Sequence, residues 1–186
     1  MSPRASSGSA GVVVVAAAAV VVLAVGSATV LVGLANRSIH NHSYAVVTCA
    51  APKLPGNTVD VYLSDRGTSM MGRAPMMVTL QANPGTAVAG RVSFVARNRG
   101  ALAHELVVLP LPADGPGTRS TGTDGKINES QSLGEASKSC AEGTGDGIAP
   151  GSTSWVTLTL RPGRYELVCD EPWHYAAGMF DVLTVT

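Results

Sequence analysis

The stretch Ser154 to Thr186, SWVTLTLRPGRYELVCDEPWHYAAGMFDVLTVT, decides the fold. Ser154–Leu160 alternates apolar and polar residues, as does Asp181–Val185, and a period of two gives a strand one buried and one wet face. The intervening RPGR marks a hairpin turn, because Pro and Gly interrupt an otherwise β-branched pattern. Working outward, similar runs occupy Thr58–Leu63, Met76–Gln81, Gly90–Arg97, His104–Leu109, Arg164–Cys169 and Met179–Val185, separated by Gly, Pro, Asn or Asp. Strands at this spacing, with one long crossing between them, predict an all-β Greek-key sandwich of seven to eight strands.

Composition agrees. Only 14% of residues are charged and 4% aromatic, while Gly numbers 21 and Pro 11, which argues against a helical bundle and against high-charge disorder. Lys plus Arg equals Asp plus Glu, 13 each, so no basic excess points to nucleic acid. No period of repeat or solenoid length recurs.

The N-terminal part differs in kind. Residues 1–10 are a short leading segment, and Gly11 to Ala35 (GVVVVAAAAVVVLAVGSATVLVGLA) carry no charge. At about 1.5 Å per residue, a helix of that length exceeds the roughly 30 Å core of a bilayer. No face of it is polar, so a buried globular helix is a poor fit. Two readings stay open. One is a retained single-pass anchor, which the length favours; the other is a signal peptide cleaved at the small residues Gly26/Ala28 or Gly33/Ala35. No Cys follows at lipoprotein spacing. Both readings put the remainder outside the cytoplasm, at the cell membrane or secreted into the periplasm. Residues 36–48 read as a linker and 49–186 as one domain large enough for its own core. Within that domain the long crossing runs from Pro110 to Gly151, unusually long for a structureless loop. Glu129–Ser139 is the part of it suited to a short helix.

The chemistry-bearing residues concentrate in two places, NRGALAHELVVL around His104 and YELVCDEPWHYAAGM around Cys169. In the second, Cys169, His174 and Met179 are five apart each time, on the turn between the last two strands. Such a turn folds back so that its side chains converge, and His104 from a neighbouring strand completes the set. Two imidazoles, one thiolate and one weak axial thioether are the ligand set of a blue-copper electron-transfer site. Zinc more often takes four strong ligands and no thioether. Singly, each residue has a plainer reading: a packed His, a core Met, a buried structural thiol. Together, between two strands, they read as one metal site.

In these residues the sequence resembles the cupredoxins, the small type 1 copper proteins. The C-x4-H-x4-M spacing is similar to rusticyanin and the sulfocyanin-like proteins, and longer than the C-x2-H-x4-M of plastocyanin. HELVVLP and YELVCDEPWHYAAGM look like the sulfocyanin-like group in particular. The resemblance spans about Cys49 to Thr186. It implies one copper ion held by His104, Cys169 and His174, with Met179 axial. It also implies a one-electron carrier that is not an enzyme, serves redox partner proteins and has no small-molecule substrate. Two neighbours depart from the plastocyanin and azurin pattern: Glu105 stands where Asn is common, and Asp170 where Ser or Thr is common. Those positions usually hydrogen-bond around the thiolate and tune the potential.

The cysteine count fits. Exported proteins oxidise spare thiols, and three Cys leave one over, which metal ligation accounts for. Cys49 and Cys140 then form the natural disulfide, an intermolecular bond being the alternative. Other candidates are weaker. His40 and His42 read as polar linker before a loose second metal site. Met70, Met71, Met76 and Met77 read as strand and loop filling before a Cu(I) patch. Trp173 either covers the edge of the site or contacts a partner, or it simply packs, and Asn98-Arg99-Gly100 reads as a turn. A multi-copper oxidase would need more His than the four present, and a dinuclear copper centre would need two Cys in the C-terminal loop. The alternative function is copper storage, delivery or resistance, supported only by the Met-rich stretch.

Overall fold

The computed structural model describes residues 49–66 and 77–186. The hydrophobic run 11–35, the linker 36–48, His40, His42, Met70, Met71 and Met76 lie outside the described residues. Among the described residues no helix is long and apolar enough to cross a membrane.

Among the described residues, nine strands form two facing sheets: β1 (Asn57–Arg66), β2 (Met77–Asn83), β3 (Thr86–Ala87), β4 (Gly90–Asn98), β5 (Leu106–Pro110), β6 (Gly134–Ala136), β7 (Thr153–Leu160), β8 (Gly163–Val168) and β9 (Phe180–Val185). One sheet has the order β2-β1-β4-β7 and the other β3-β9-β8-β5-β6. Pairing is antiparallel except at β1–β4 and β3–β9. The chain passes repeatedly from one sheet to the other, as the single long crossing and the short turns require.

The expectation of seven to eight strands was low because β3 and β6 are only two and three residues long. Neither carries a recognisable period; each is defined by its partner strand. The helix expected over Glu129–Ser139 is not there. Leu133 N–H bonds to Val108 O at 2.9 Å, and Gly134–Ala136 pairs with Leu106–Val108 as an edge strand. An unpaired edge of β5 was the stronger draw, and Gly134, at φ 150°, is a poor helix former.

The inner faces meet as the alternation dictates. Val59, Val61 and Leu63 of β1 and Val92, Phe94 and Ala96 of β4 pack in one core with Leu106, Val108, Tyr165, Leu167 and Leu183 of the other sheet. Cys169 and Met179 belong to the same buried cluster, so the candidate site is seated on the core. β5 reads LVVL without alternation because both its faces are covered. Val107 and Leu109 pack outward with Val168, Ile127 and Tyr175 under the long crossing.

A buried charge pair fastens that crossing. The fully buried Glu166 carboxylate accepts Arg119 Nε–H at 2.7 Å, Gly117 N–H at 2.7 Å and the Tyr175 hydroxyl at 3.0 Å. A charge buried this deeply persists only when paired and hydrogen-bonded. Through Tyr175 the same carboxylate braces the turn that carries His174. Cys49 and Cys140 are joined by a disulfide, which ties the entry of the domain to the crossing.

Candidate metal centre

Cys169 immediately follows β8, and the next nine residues fold back as tight turns. His174 N–H bonds to Glu171 O at 3.0 Å, Met179 N–H to His174 O at 3.0 Å, and Cys169 N–H to Met179 O at 3.1 Å. Gly178, at φ 94°, allows the last reversal into β9. The five-residue spacings thereby bring Cys169, His174 and Met179 to one end of the sandwich. His104 reaches the same place from a different direction. It lies two residues before β5, not within a strand as its run suggested, and is held by a two-way bridge to Ile148 (3.3 and 2.7 Å). Asn98 shapes the loop leading to it. Its Oδ1 accepts Gly100 N–H at 2.8 Å, and its Nδ2 donates to Leu102 O and Ile148 O at 2.7 and 2.6 Å. The turn read at Asn98-Arg99-Gly100 is this one.

His104, Cys169 and His174 converge with one donor atom each, all within 4.8 Å of one another. His104 Nδ1 is 3.2 Å from His174 Nδ1, and Cys169 Sγ lies 3.8 Å from the former and 3.4 Å from the latter. All three side chains are buried, as is Met179. Burial pushes His104 below the usual imidazole range; burial and the neighbouring His104 push His174 down to about 4. Both imidazoles are therefore neutral at neutral pH, the state in which a ring nitrogen can bind a metal. Burial pushes the Cys169 thiol up to about 12, so a cation must displace its proton to bind. A soft sulfur and two imidazole nitrogens, enclosed and uncharged, fit copper and are positioned to bind one ion.

The two departures from the common pattern have distinct consequences. Glu105 still supplies a hydrogen bond to the sulfur, through its backbone N–H at 3.3 Å from Cys169 Sγ, so the substitution of its side chain spares that contact. Asp170 accepts Ile127 N–H at 2.6 Å, holding the long crossing against the site. Burial pushes the Glu105 carboxyl up to about 7, and burial with Asp170 beside it pushes Glu129 up to about 8. The negative charge around the centre at neutral pH is thus smaller than the count of acids suggests. Trp173 is 53% exposed; its N–H bonds to Gly125 O at 2.9 Å, and its ring lies where a Cβ on Gly125 would stand. The ring therefore packs on the long crossing at Gly125. Met77 is exposed at the start of β2.

Sequence reasoning missed one residue at the centre, Asp65. Its Oδ1 lies 3.0 Å from His104 Nε2 across 39 positions of sequence. An acid near the end of a strand reads as a solvent-facing residue, and no local signal marks it otherwise.

The model of the copper-binding proteins of the plastocyanin/azurin family matches residues 86–186. No curated protein matches the chain. Solved structures with a similar chain course include a dithionite-reduced auracyanin from Roseiflexus castenholzii, at 18% identity and TM-score 0.45, covering 72% of this chain and 99% of its own. Auracyanin B matches at 22% identity and TM-score 0.46, covering 73% and 93%. Rusticyanin from Thiobacillus ferrooxidans matches at 20% identity and TM-score 0.42, covering 71% and 79%.

Proposed function

The chain belongs to the plastocyanin/azurin family of copper-binding proteins, and we propose that it is a type 1 copper electron carrier working at the outer face of a membrane. The observation that carries this reading is the convergence of His104, Cys169 and His174, from two distant segments, into one enclosed donor set. Copper held there supplies a one-electron couple between Cu(II) and Cu(I). The chain's own part is to hold the donors still. His104 is clamped by its bridge to Ile148, His174 by turns braced through Tyr175, and Cys169 by the Glu105 N–H and the core beneath it. Donors fixed by packing change little when the charge changes, and their burial keeps bulk water away from the metal. Residues 11–35 are the membrane anchor in this reading, the partners are redox proteins, and the C-x4-H-x4-M spacing supports a likeness to the sulfocyanin-like group.

Met179, buried beside Cys169 in the same cluster, would be the weak fourth donor to a copper ion held there. A Met179→Leu change removes the thioether at nearly constant volume, for under about 1.5 kcal/mol of stability. Cu(II), the harder state, loses more from this than Cu(I), so the midpoint potential rises. Met179→Gln places an oxygen donor there, favours Cu(II) and lowers the potential. Both variants stay coloured. Potentials measured in one buffer check this: a shift of both in the same direction, or loss of copper from either, removes Met179 from the site.

Carriage is distinguished from copper delivery by mixing oxidised and reduced protein and following electron self-exchange by nuclear magnetic resonance. The proposal expects fast exchange with copper retained. Slow exchange, with copper passing on reduction to a metal-free acceptor protein, would support storage or delivery instead.

A further inference from the structure

Asp65, next to last in β1, is 3% exposed at its side chain. Its Oδ1 accepts three N–H groups: Ala101 N at 2.8 Å, Leu102 N at 3.0 Å and His104 Nε2 at 3.0 Å. Gly100 lies against the same oxygen, and a Cβ there would collide with it, so the loop closes on the carboxylate only with glycine at that position. With three N–H donors converging on it, this oxygen acts only as an acceptor, the arrangement that suits a carboxylate.

This arrangement bears on the other end of the ring. An imidazole that donates from Nε2 carries its lone pair on Nδ1, and His104 Nδ1 is the atom that faces Cys169 Sγ and His174 Nδ1. Carboxylates behind metal-binding imidazoles fix tautomer and ring orientation and make the ligand a stronger donor. Among the described residues, His104 has such a carboxylate partner and His174 does not.

We propose that Asp65 is a positioning residue of the copper centre. Its Oδ1 fixes His104 as the Nε2–H tautomer with Nδ1 turned to the metal, and its buried negative charge favours Cu(II) over Cu(I). The proposal rests on the copper reading of the site. Removing the charge costs the doubly charged ion more than the singly charged one.

Two measurements on the full chain test it. Nitrogen chemical shifts of His104 in the metal-free wild-type protein should show the Nε2–H tautomer; an Nδ1–H tautomer overturns the proposal and needs no variant to be seen. Asp65→Asn keeps an oxygen able to accept the three N–H groups and removes only the charge. In D65N, Cu(II) affinity should fall about tenfold or more, with a smaller loss for Cu(I). The midpoint potential should rise by about 59 mV for each tenfold difference between the two. An unchanged or lowered potential in folded D65N overturns the role of Asp65. If wild-type protein takes up Cu(II) with no thiolate charge-transfer band, it is the copper reading that fails; if the band is present and D65N leaves the potential alone, only the Asp65 role fails.

Discussion

Replacing Cys169 by Ser is expected to abolish completely the intense visible band that a Cu(II)–thiolate bond gives to the copper-loaded protein. A hydroxyl is neither as soft nor as readily ionised as a thiol, so no comparable charge transfer remains. The fold itself should survive. Cys169 is fully buried, but the new hydroxyl can accept the Glu105 N–H that the sulfur accepts at 3.3 Å, limiting the cost to about 1–2 kcal/mol. Absorption spectra of wild-type and C169S protein, each confirmed folded by circular dichroism, decide the matter. A C169S variant that keeps the band removes Cys169 from the metal.

The second large effect concerns stability. Replacing both Cys49 and Cys140 by Ser releases a link that spans 91 positions of sequence. In the loop-entropy description such a link contributes about 4–5 kcal/mol, and removal of native disulfides commonly costs 2–5 kcal/mol. For a domain of this size a loss of that order lowers the melting temperature by about 10 °C or more. Denaturant unfolding of the metal-free protein checks it, and a loss below about 1 kcal/mol would mean that the crossing is held by its other contacts. Arg119, Glu166 and Tyr175 would be the first to suspect. The charge-transfer band should persist, since neither cysteine is among the converging donors.

The parts of this protein that were legible in its sequence are those fixed by local pattern. β2 buries every second residue and β7 nearly does so, and both were found within one or two residues of their ends. The five-residue spacings of Cys169, His174 and Met179 were legible because one turn carries all three. What was not legible depends on partners far along the chain. Gly134–Ala136 is a strand only because β5 offers it an edge. Glu166 sits in the strand YELV with nothing to distinguish it from a solvent-facing acid, yet Arg119 and Tyr175 bury it completely. Asp65 is the same case at the metal centre: its role is set by two backbone N–H groups and an imidazole from the Ala101–His104 loop. Charged residues buried by remote partners leave no periodic trace, and in this protein Asp65 meets His104 and Glu166 meets Tyr175, beside His174.

In the proposed function, His104, Cys169 and His174 hold one copper ion that gains and loses a single electron reversibly. A redox titration of the copper-loaded full chain, followed at the visible charge-transfer band, tests it most directly. One n = 1 transition is expected, with the band bleached on reduction and fully restored on reoxidation, and copper retained throughout. Absence of the band, a transition that does not reverse, or release of copper on reduction would contradict it.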